Sequence, residues 1–150
     1  MQKTLPILVV EDDQDLLEAV CATIKLSGYE AVAAANGHDA LTVIQTQQIG
    51  MVVSDVQMKP MDGLTLLKKI KSLSPELPVL LMTAYREIDK AITAMRTGAC
   101  DYLLKPFDPD SLLVYIKRYA LSEFDQDSSM IANDPKTRAL LSLARRVAKS

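Results

Sequence analysis

Several polar residues stand directly after short apolar runs, and their types could support phosphoryl transfer. They are three acids, a hydroxyl and an amine, in chain order Glu11, Asp12, Asp55, Thr83 and Lys105. Carboxylates that share a pocket repel each other, and a hard divalent cation relieves that repulsion. A carboxylate beside such a cation can attack phosphorus, while an amine and a hydroxyl stabilise the phosphoryl oxygens. These residues therefore indicate a phosphate-accepting site, provided that the fold brings them together.

The apolar runs predict a parallel β-sheet with helical crossovers. Five short runs alternate with segments whose apolar residues recur at helical spacing, and these runs are residues 5–10, 30–34, 51–54, 78–82 and 102–104. Parallel strands need crossovers of this kind and are buried on both faces. We therefore predict a doubly wound α/β domain with helices on both faces of the sheet.

The carboxyl ends of the strands form the ligand-binding edge of such a sheet. If the strand order is 2-1-3-4-5, the first and third strands are neighbours and their acids share one pocket. Mg²⁺ fits that pocket best, because it prefers oxygen ligands and commonly binds through one or two carboxylates plus a phosphate. We expect Asp12 and Asp55 to be direct ligands, Glu11 to act through water, and the backbone carbonyl of Gln57 to complete the set.

The composition divides the chain into three parts. Residues 1–121 contain the α/β domain, and residues 122–134 are rich in acids and serine, which is typical of a solvated linker. Residues 135–150 carry apolar side chains at helical spacing between five basic residues, which predicts an amphipathic helix. That helix is too short to be a domain, so it is expected to pack on its own domain or on a neighbour.

The overall composition excludes several classes of protein. With 49% hydrophobic and 24% charged residues the chain is globular rather than disordered. A formal net charge of −2 gives no general attraction to nucleic acid or anionic lipid. No apolar stretch approaches the ~20 residues of a membrane helix, so a cytoplasmic protein is expected. Cys21 and Cys100 lie far apart without a metal-binding motif and are expected to be buried free thiols.

Four segments resemble the receiver domain of bacterial two-component response regulators, in order and at matching spacing. They are ILVVEDD, SDVQMKPMDG, MTA and DYLLKPF, and the resemblance covers residues 5–121. It implies a flavodoxin-like (CheY-like) sheet of five parallel strands in the order 2-1-3-4-5. It also implies roles for single residues: phospho-acceptor Asp55, acidic pair Glu11 and Asp12, switch hydroxyl Thr83, switch aromatic Tyr102, and Lys105 in a cis bond to Pro106.

The same resemblance implies the partners and the output of the domain. The phosphoryl donor is a sensor histidine kinase, and phosphorylation of Asp55 switches dimerisation. The dimer is expected through the face of the fourth helix, fifth strand and fifth helix, or through the linker helix. The chain is not expected to be an enzyme, apart from accepting its own phosphate and losing it slowly.

The tail IANDPKTRALLSLARRVAKS is similar to the opening of the ATPase module of sigma-54-dependent (NtrC-type) transcription activators. This similarity implies that residues 135–150 begin a truncated AAA+ module of a longer activator. The sequence printed here contains no GxxxxGK phosphate loop, so it is not expected to bind ATP through that loop or to turn it over. Direct binding of nucleic acid is not expected either, because the formal net charge is −2.

Two other functions remain open from the sequence. An aspartate-nucleophile phosphatase also uses magnesium and carboxylates, but its nucleophile usually opens a DxD motif after the first strand, whereas Asp55 follows the third. A binding module is the second alternative, either for a nucleotide or as a receiver that takes no phosphate. Nucleotide binding favours glycines after the first strand, where this chain has Glu11, Asp12 and Asp13.

Overall fold

The apolar runs form one parallel sheet in the computed structural model of the chain, which describes residues 4–122. The strands are β1 (Ile7–Val10), β2 (Ala31–Ala34), β3 (Met51–Asp55), β4 (Val79–Ala84) and β5 (Asp101–Lys105). Their order is β2-β1-β3-β4-β5 and every pairing is parallel. The predicted doubly wound sheet is therefore confirmed.

Five α-helices connect or follow the strands within residues 4–122. They are α1 (Gln14–Leu26), α2 (Gly37–Thr46), α3 (Gly63–Leu73), α4 (Ile88–Thr97) and α5 (Pro109–Tyr119). Side chains fix three of the helix starts, because Asp13, Asn36 and Asp62 accept backbone N–H groups of the first turns of α1, α2 and α3. Asp108 occupies the cap position of α5, but its carboxylate accepts the Ser111 hydroxyl instead of a backbone N–H.

Alternate residues of the strands supply two separate cores. Leu8, Val52 and Leu81 face the side that α2, α3 and α4 cover, where Leu66 and Ile70 of α3 complete the packing. The residues that alternate with them along each strand face the other side of the sheet, which α1 and α5 cover. Both faces of the central strands are thus buried, which is why β1 is apolar along its whole length and β3 is apolar from Met51 to Val53.

Three strands extend one or two residues further than the sequence pattern predicted. Asp55, Thr83 and Lys105 lie inside β3, β4 and β5 rather than after them. The reason is that the backbone ladder continues past the apolar run, since Asp55 pairs with Met82 and Lys105 with Ala84. Polar side chains at these positions end the buried core without ending the backbone pairing.

The segment that follows α5 lies at the end of the sheet opposite to these polar residues. The Leu121 N–H donates to the Gly50 carbonyl (2.9 Å), and the Leu5 N–H donates to the Leu121 carbonyl (3.0 Å). An antiparallel bridge between Thr4 and Ser122 extends this contact. The segment after α5 is therefore fixed to the starts of β1 and β3. The predicted linker beyond Ser122 and the predicted helix 135–150 lie outside the described residues.

None of the described helices is long and apolar enough to cross a membrane. Both cysteines are free thiols, as predicted, but only Cys21 is buried. Cys100 is partly exposed, because it precedes β5, the strand at one edge of the sheet.

Gly50 provides a test of the contact that fixes the end of the domain. An alanine Cβ at this position would lie 2.7 Å from the Leu121 carbonyl oxygen and 3.0 Å from Leu5. Because backbone atoms would have to move, we expect Gly50→Ala to lower the free energy of unfolding by about 1–3 kcal/mol in urea titrations.

Gly37→Ala is the matched control for this substitution. Its Cβ would meet chiefly the side chain of Met61, which can turn aside, and alanine favours the helix in which it lies. A loss of stability in Gly37→Ala as large as that in Gly50→Ala would contradict this account of Leu121.

Candidate functional site

Three carboxylates meet where β1 and β3 end. The pairing of Val10 with Ser54 places Glu11 next to Asp55, because each is the following residue on its strand. Glu11, Asp12 and Asp55 each offer a carboxylate oxygen within 4.8 Å of the others. Glu11 is 1% exposed and Asp55 7% exposed, whereas Asp12 is exposed. The sequence prediction of a shared acidic pocket is thus reproduced in the described structure.

The amine of Lys105 joins two of these acids. Its Nζ lies 3.1 Å from Glu11 Oε1 and 3.2 Å from Asp55 Oδ1. Lys105 is the last residue of β5, so its side chain extends past β4 to reach Asp55 of β3 and Glu11, the residue that follows β1. The Lys105–Pro106 peptide bond is cis, as is the Lys59–Pro60 bond in the loop that follows β3. One ammonium group therefore connects the ends of three strands.

Burial controls the charge state of Glu11. It raises the pKa of this carboxyl from an ordinary value of 4.5 to about 7, and the neighbouring Asp55 charge adds to the rise. The Asp13 N–H, which donates to Glu11 Oε2 (3.1 Å), and the Lys105 ammonium act in the opposite direction. Glu11 therefore gains and loses its proton near neutral pH.

Lys105 stays protonated in this environment. Burial by itself would lower the pKa of its amine, but the charges of Asp55 and Glu11 and its hydrogen bonds to them raise the pKa above the ordinary value. The site therefore contains a permanent positive charge beside an excess of carboxyl groups.

The remaining predicted site residues lie on the strands beside this cluster or in the loop after it. Thr83 of β4 is fully buried, and its Oγ1 donates to the Ala84 carbonyl (3.1 Å). Tyr102 of β5 is half-buried and packs at the border of the α2–α4 core. Gln57 is exposed, two residues beyond Asp55 in the loop to α3. The described contacts thus join Lys105 to the acids. The contacts described for Thr83 and Tyr102 are with other residues, and Gln57 is exposed.

Two backbone groups of the site escaped the sequence analysis. The Asp13 N–H orients the Glu11 carboxylate, and Gly63 at the start of α3 touches the backbone of Asp55. The glycine that follows the capping residue Asp62 is the available signal for the second contact. For the Asp13 N–H no residue type gives a signal, since any residue but proline supplies it.

The donor set suits a hard divalent cation. Three carboxyl groups face a single ammonium group, so the cluster keeps an acidic excess after Lys105 has paired. All the side-chain donors of the cluster are oxygens, which Mg²⁺ and Ca²⁺ prefer to nitrogen or sulfur. The exposed Asp12 leaves the cluster open to solvent, so an ion and a phosphate could enter.

Comparison with known proteins agrees with this geometry. The family model of the response regulator receiver domain matches residues 7–117. The response regulator protein FleR of Pseudomonas aeruginosa is 46% identical over 96% of this chain, and the transcriptional regulatory protein ZraR of Escherichia coli is 36% identical over 97%. The chain spans about a third of the length of these two relatives, 31% and 35% respectively.

A solved structure shows the same architecture. The receiver domain of NtrX from Brucella abortus superposes with a TM-score of 0.73 at 35% sequence identity, over 75% of this chain and 96% of that one. The region that the family model matches, residues 7–117, contains all five strands and the acidic cluster at their carboxyl ends. This chain belongs to the response regulator receiver domain family.

Proposed function

We propose that this chain is a phosphorylation-dependent switch in which Asp55 accepts a phosphoryl group from a sensor histidine kinase. The observation that carries the proposal is the position of Lys105 Nζ, which lies 3.1 Å from Glu11 and 3.2 Å from Asp55 at the rim of an acidic pocket. Glu11 and Asp55 are 1% and 7% exposed, so their charges hold the amine in place, and a phosphoryl group on Asp55 needs such a fixed positive charge.

Mg²⁺ is the cofactor that we assign to the pocket. Asp12 and Asp55 would bind it directly, Glu11 through water, and Gln57 through its backbone carbonyl. When bound, the ion supplies positive charge to the phosphoryl oxygens and offsets the repulsion between the acids.

The acceptor step needs an ionised carboxylate and a neutralised phosphate. An oxygen of Asp55 forms a bond to phosphorus while the bond from phosphorus to the donor's histidine nitrogen breaks. Lys105 is already within ion-pair distance of the attacking carboxylate and is shared with Glu11. It can therefore follow the developing charge without a large movement of its side chain.

Thr83 and Tyr102 form the switch in this proposal. The Thr83 hydroxyl has one proton, which it donates to the Ala84 carbonyl in this structure. To donate to a phosphoryl oxygen on Asp55 it has to break that hydrogen bond, which vacates space beside β4. Tyr102 of β5 would turn into that space and change the face formed by α4, β5 and α5. This face, or the linker helix, would then form a homodimer.

The wider assignment rests on the relatives and on the tail. FleR and ZraR are named as a response regulator and a transcriptional regulator, and both are about three times as long as this chain. We assign residues 1–121 to the receiver, 122–134 to a linker and 135–150 to the start of the ATPase module of a sigma-54-dependent activator. The protein would act in the cytoplasm, and this part of it is not an enzyme and contacts no DNA.

The first prediction concerns the acceptor. With Mg²⁺ and acetyl phosphate, intact-protein mass spectrometry should detect one added phosphoryl group on the wild type and none on Asp55→Asn, because an amide does not attack phosphorus. Removing Mg²⁺ with EDTA should prevent the addition. Glu76→Gln, which removes an exposed charge before β4, should behave as the wild type. Labelling of Asp55→Asn would refute the assignment, and repeated turnover of a simple phosphate ester would favour the phosphatase.

The second prediction concerns pH. Because the pKa of Glu11 is raised to about 7, the folded protein holds this proton more tightly than the unfolded chain. The contribution of Glu11 to the free energy of unfolding should therefore fall as pH rises from about 4.5 to about 7. Calorimetry should show Mg²⁺ binding that strengthens about tenfold from about pH 6 to about pH 8, with release of a proton. In Glu11→Gln both trends should be smaller; an unchanged pH dependence would contradict this account.

The third prediction concerns the switch. Thr83→Val retains the shape of a fully buried side chain but has no proton to donate. Thr83→Val should still accept phosphate on Asp55. The change in oligomeric state that phosphorylation causes, measured by sedimentation velocity, should be smaller than in the wild type. Thr23→Val removes a hydroxyl that donates to the Ala19 carbonyl on α1 and should respond as the wild type. A full response in Thr83→Val would count against the switch.

A further inference from the structure

The start of α3 lies against the peptide bond that follows Asp55. A Cβ on Gly63 would overlap the Asp55 carbonyl oxygen and would lie 2.8 Å from Val56 Cα. The Gly63 N–H donates to the Val56 carbonyl at 2.7 Å. No other residue type can occupy this position without moving the backbone at the end of β3.

The same stretch of backbone is held from its other side by β4. The Val56 N–H donates to the Met82 carbonyl at 3.0 Å, and Asp55 is paired with Met82 in the sheet. The peptide after Asp55 is therefore fixed between β4 and the first turn of α3. That turn is itself fixed, because the Asp62 carboxylate accepts the Thr65 N–H at 2.8 Å.

We propose that Gly63 is a positioning residue for the phospho-acceptor. By lacking a side chain it allows α3 to hold the backbone of Asp55 in the one place from which the carboxylate reaches both Lys105 and the acids of β1. This inference rests on the proposed function of Asp55 and adds a residue that acts on Asp55 through backbone contacts.

The geometry of the carboxylate gives the reason why this support matters. Asp55 Oδ1 lies 3.2 Å from Lys105 Nζ, and an Asp55 oxygen lies within 4.8 Å of Glu11 and Asp12 oxygens. The side chain has only two rotatable bonds, so a shift of the backbone moves the carboxylate with it. A displacement of about 1 Å at a reacting group can slow a reaction about a hundredfold.

The test compares Gly63→Ala with Gly50→Ala in this chain. Both substitutions place a Cβ against backbone atoms at one end of β3, but Gly50 lies at the end remote from Asp55. Both variants should lose stability in urea. With Mg²⁺ and acetyl phosphate, under conditions where both are folded, Gly63→Ala should accept phosphate about ten- to a hundredfold more slowly than the wild type.

Gly50→Ala should accept phosphate at a rate within about twofold of the wild type. Only Gly63→Ala should bind Mg²⁺ more weakly in calorimetry. The reason is that a loss of stability alone changes neither the phosphorylation rate nor the Mg²⁺ affinity of protein that is folded. A wild-type rate in folded Gly63→Ala, or equal losses in both variants, would overturn the inference. If the wild type itself takes no phosphate, the proposed function fails first and the inference fails with it.

A measurement on the wild type decides the matter if Gly63→Ala does not fold. The chain has five glycines, all within the described residues, so their amide resonances can be followed separately by nuclear magnetic resonance. On addition of Mg²⁺ and beryllium fluoride, the Gly63 amide should shift more than those of Gly28, Gly37, Gly50 and Gly98. The inference would be refuted if the Gly63 amide resonance did not shift while other resonances shifted in the wild type but not in Asp55→Asn.

Discussion

The whole site depends on the ion pairs that the ammonium group of Lys105 makes with Glu11 and Asp55. Lys105 lies on β5, yet its partners Glu11 and Asp55 come from the ends of β1 and β3, on the far side of β4. Parallel strands make this possible, because all their carboxyl ends lie at one edge of the sheet. Without the amine, two acids that are less than a tenth exposed would face each other unpaired, which is costly at low dielectric. The order in which β1, β3, β4 and β5 lie in the sheet therefore decides whether these ion pairs can form.

The negative charge that Lys105 leaves uncompensated gives the pocket its chemistry. Burial keeps the pKa of Glu11 near neutrality even with Lys105 beside it, so the amine alone does not fully compensate the acids. When Glu11 is ionised, three carboxylates and one ammonium leave two negative charges in the pocket. In the proposed function a bound divalent ion would offset these two charges.

The sequence predicted what depends on residue type, and it missed what depends on backbone contacts. Alternation of apolar runs and helical stripes was sufficient for the sheet, and acids after neighbouring strands were sufficient for the pocket. The apolar pattern ends β3, β4 and β5 one or two residues too early. It stops before Asp55, Thr83 and Lys105, whereas the backbone pairing continues through these residues. The contact of Leu121 with Gly50 and Leu5 joins residues far apart in the chain through N–H and carbonyl groups that almost every residue has.

The distribution of contacts also shows which part of the domain is free to respond. β1 and β3 are buried along their whole length and are fixed at both ends, by Lys105 and the start of α3 at the site, and by Leu121 at the opposite edge. β5 has one neighbouring strand in the described sheet, and four of its five residues are only partly buried. Moving β3 would break backbone contacts on several sides, whereas turning a half-buried side chain on β5 breaks few. A structural response to charge at Asp55 would therefore be easiest through β5, where Tyr102 lies.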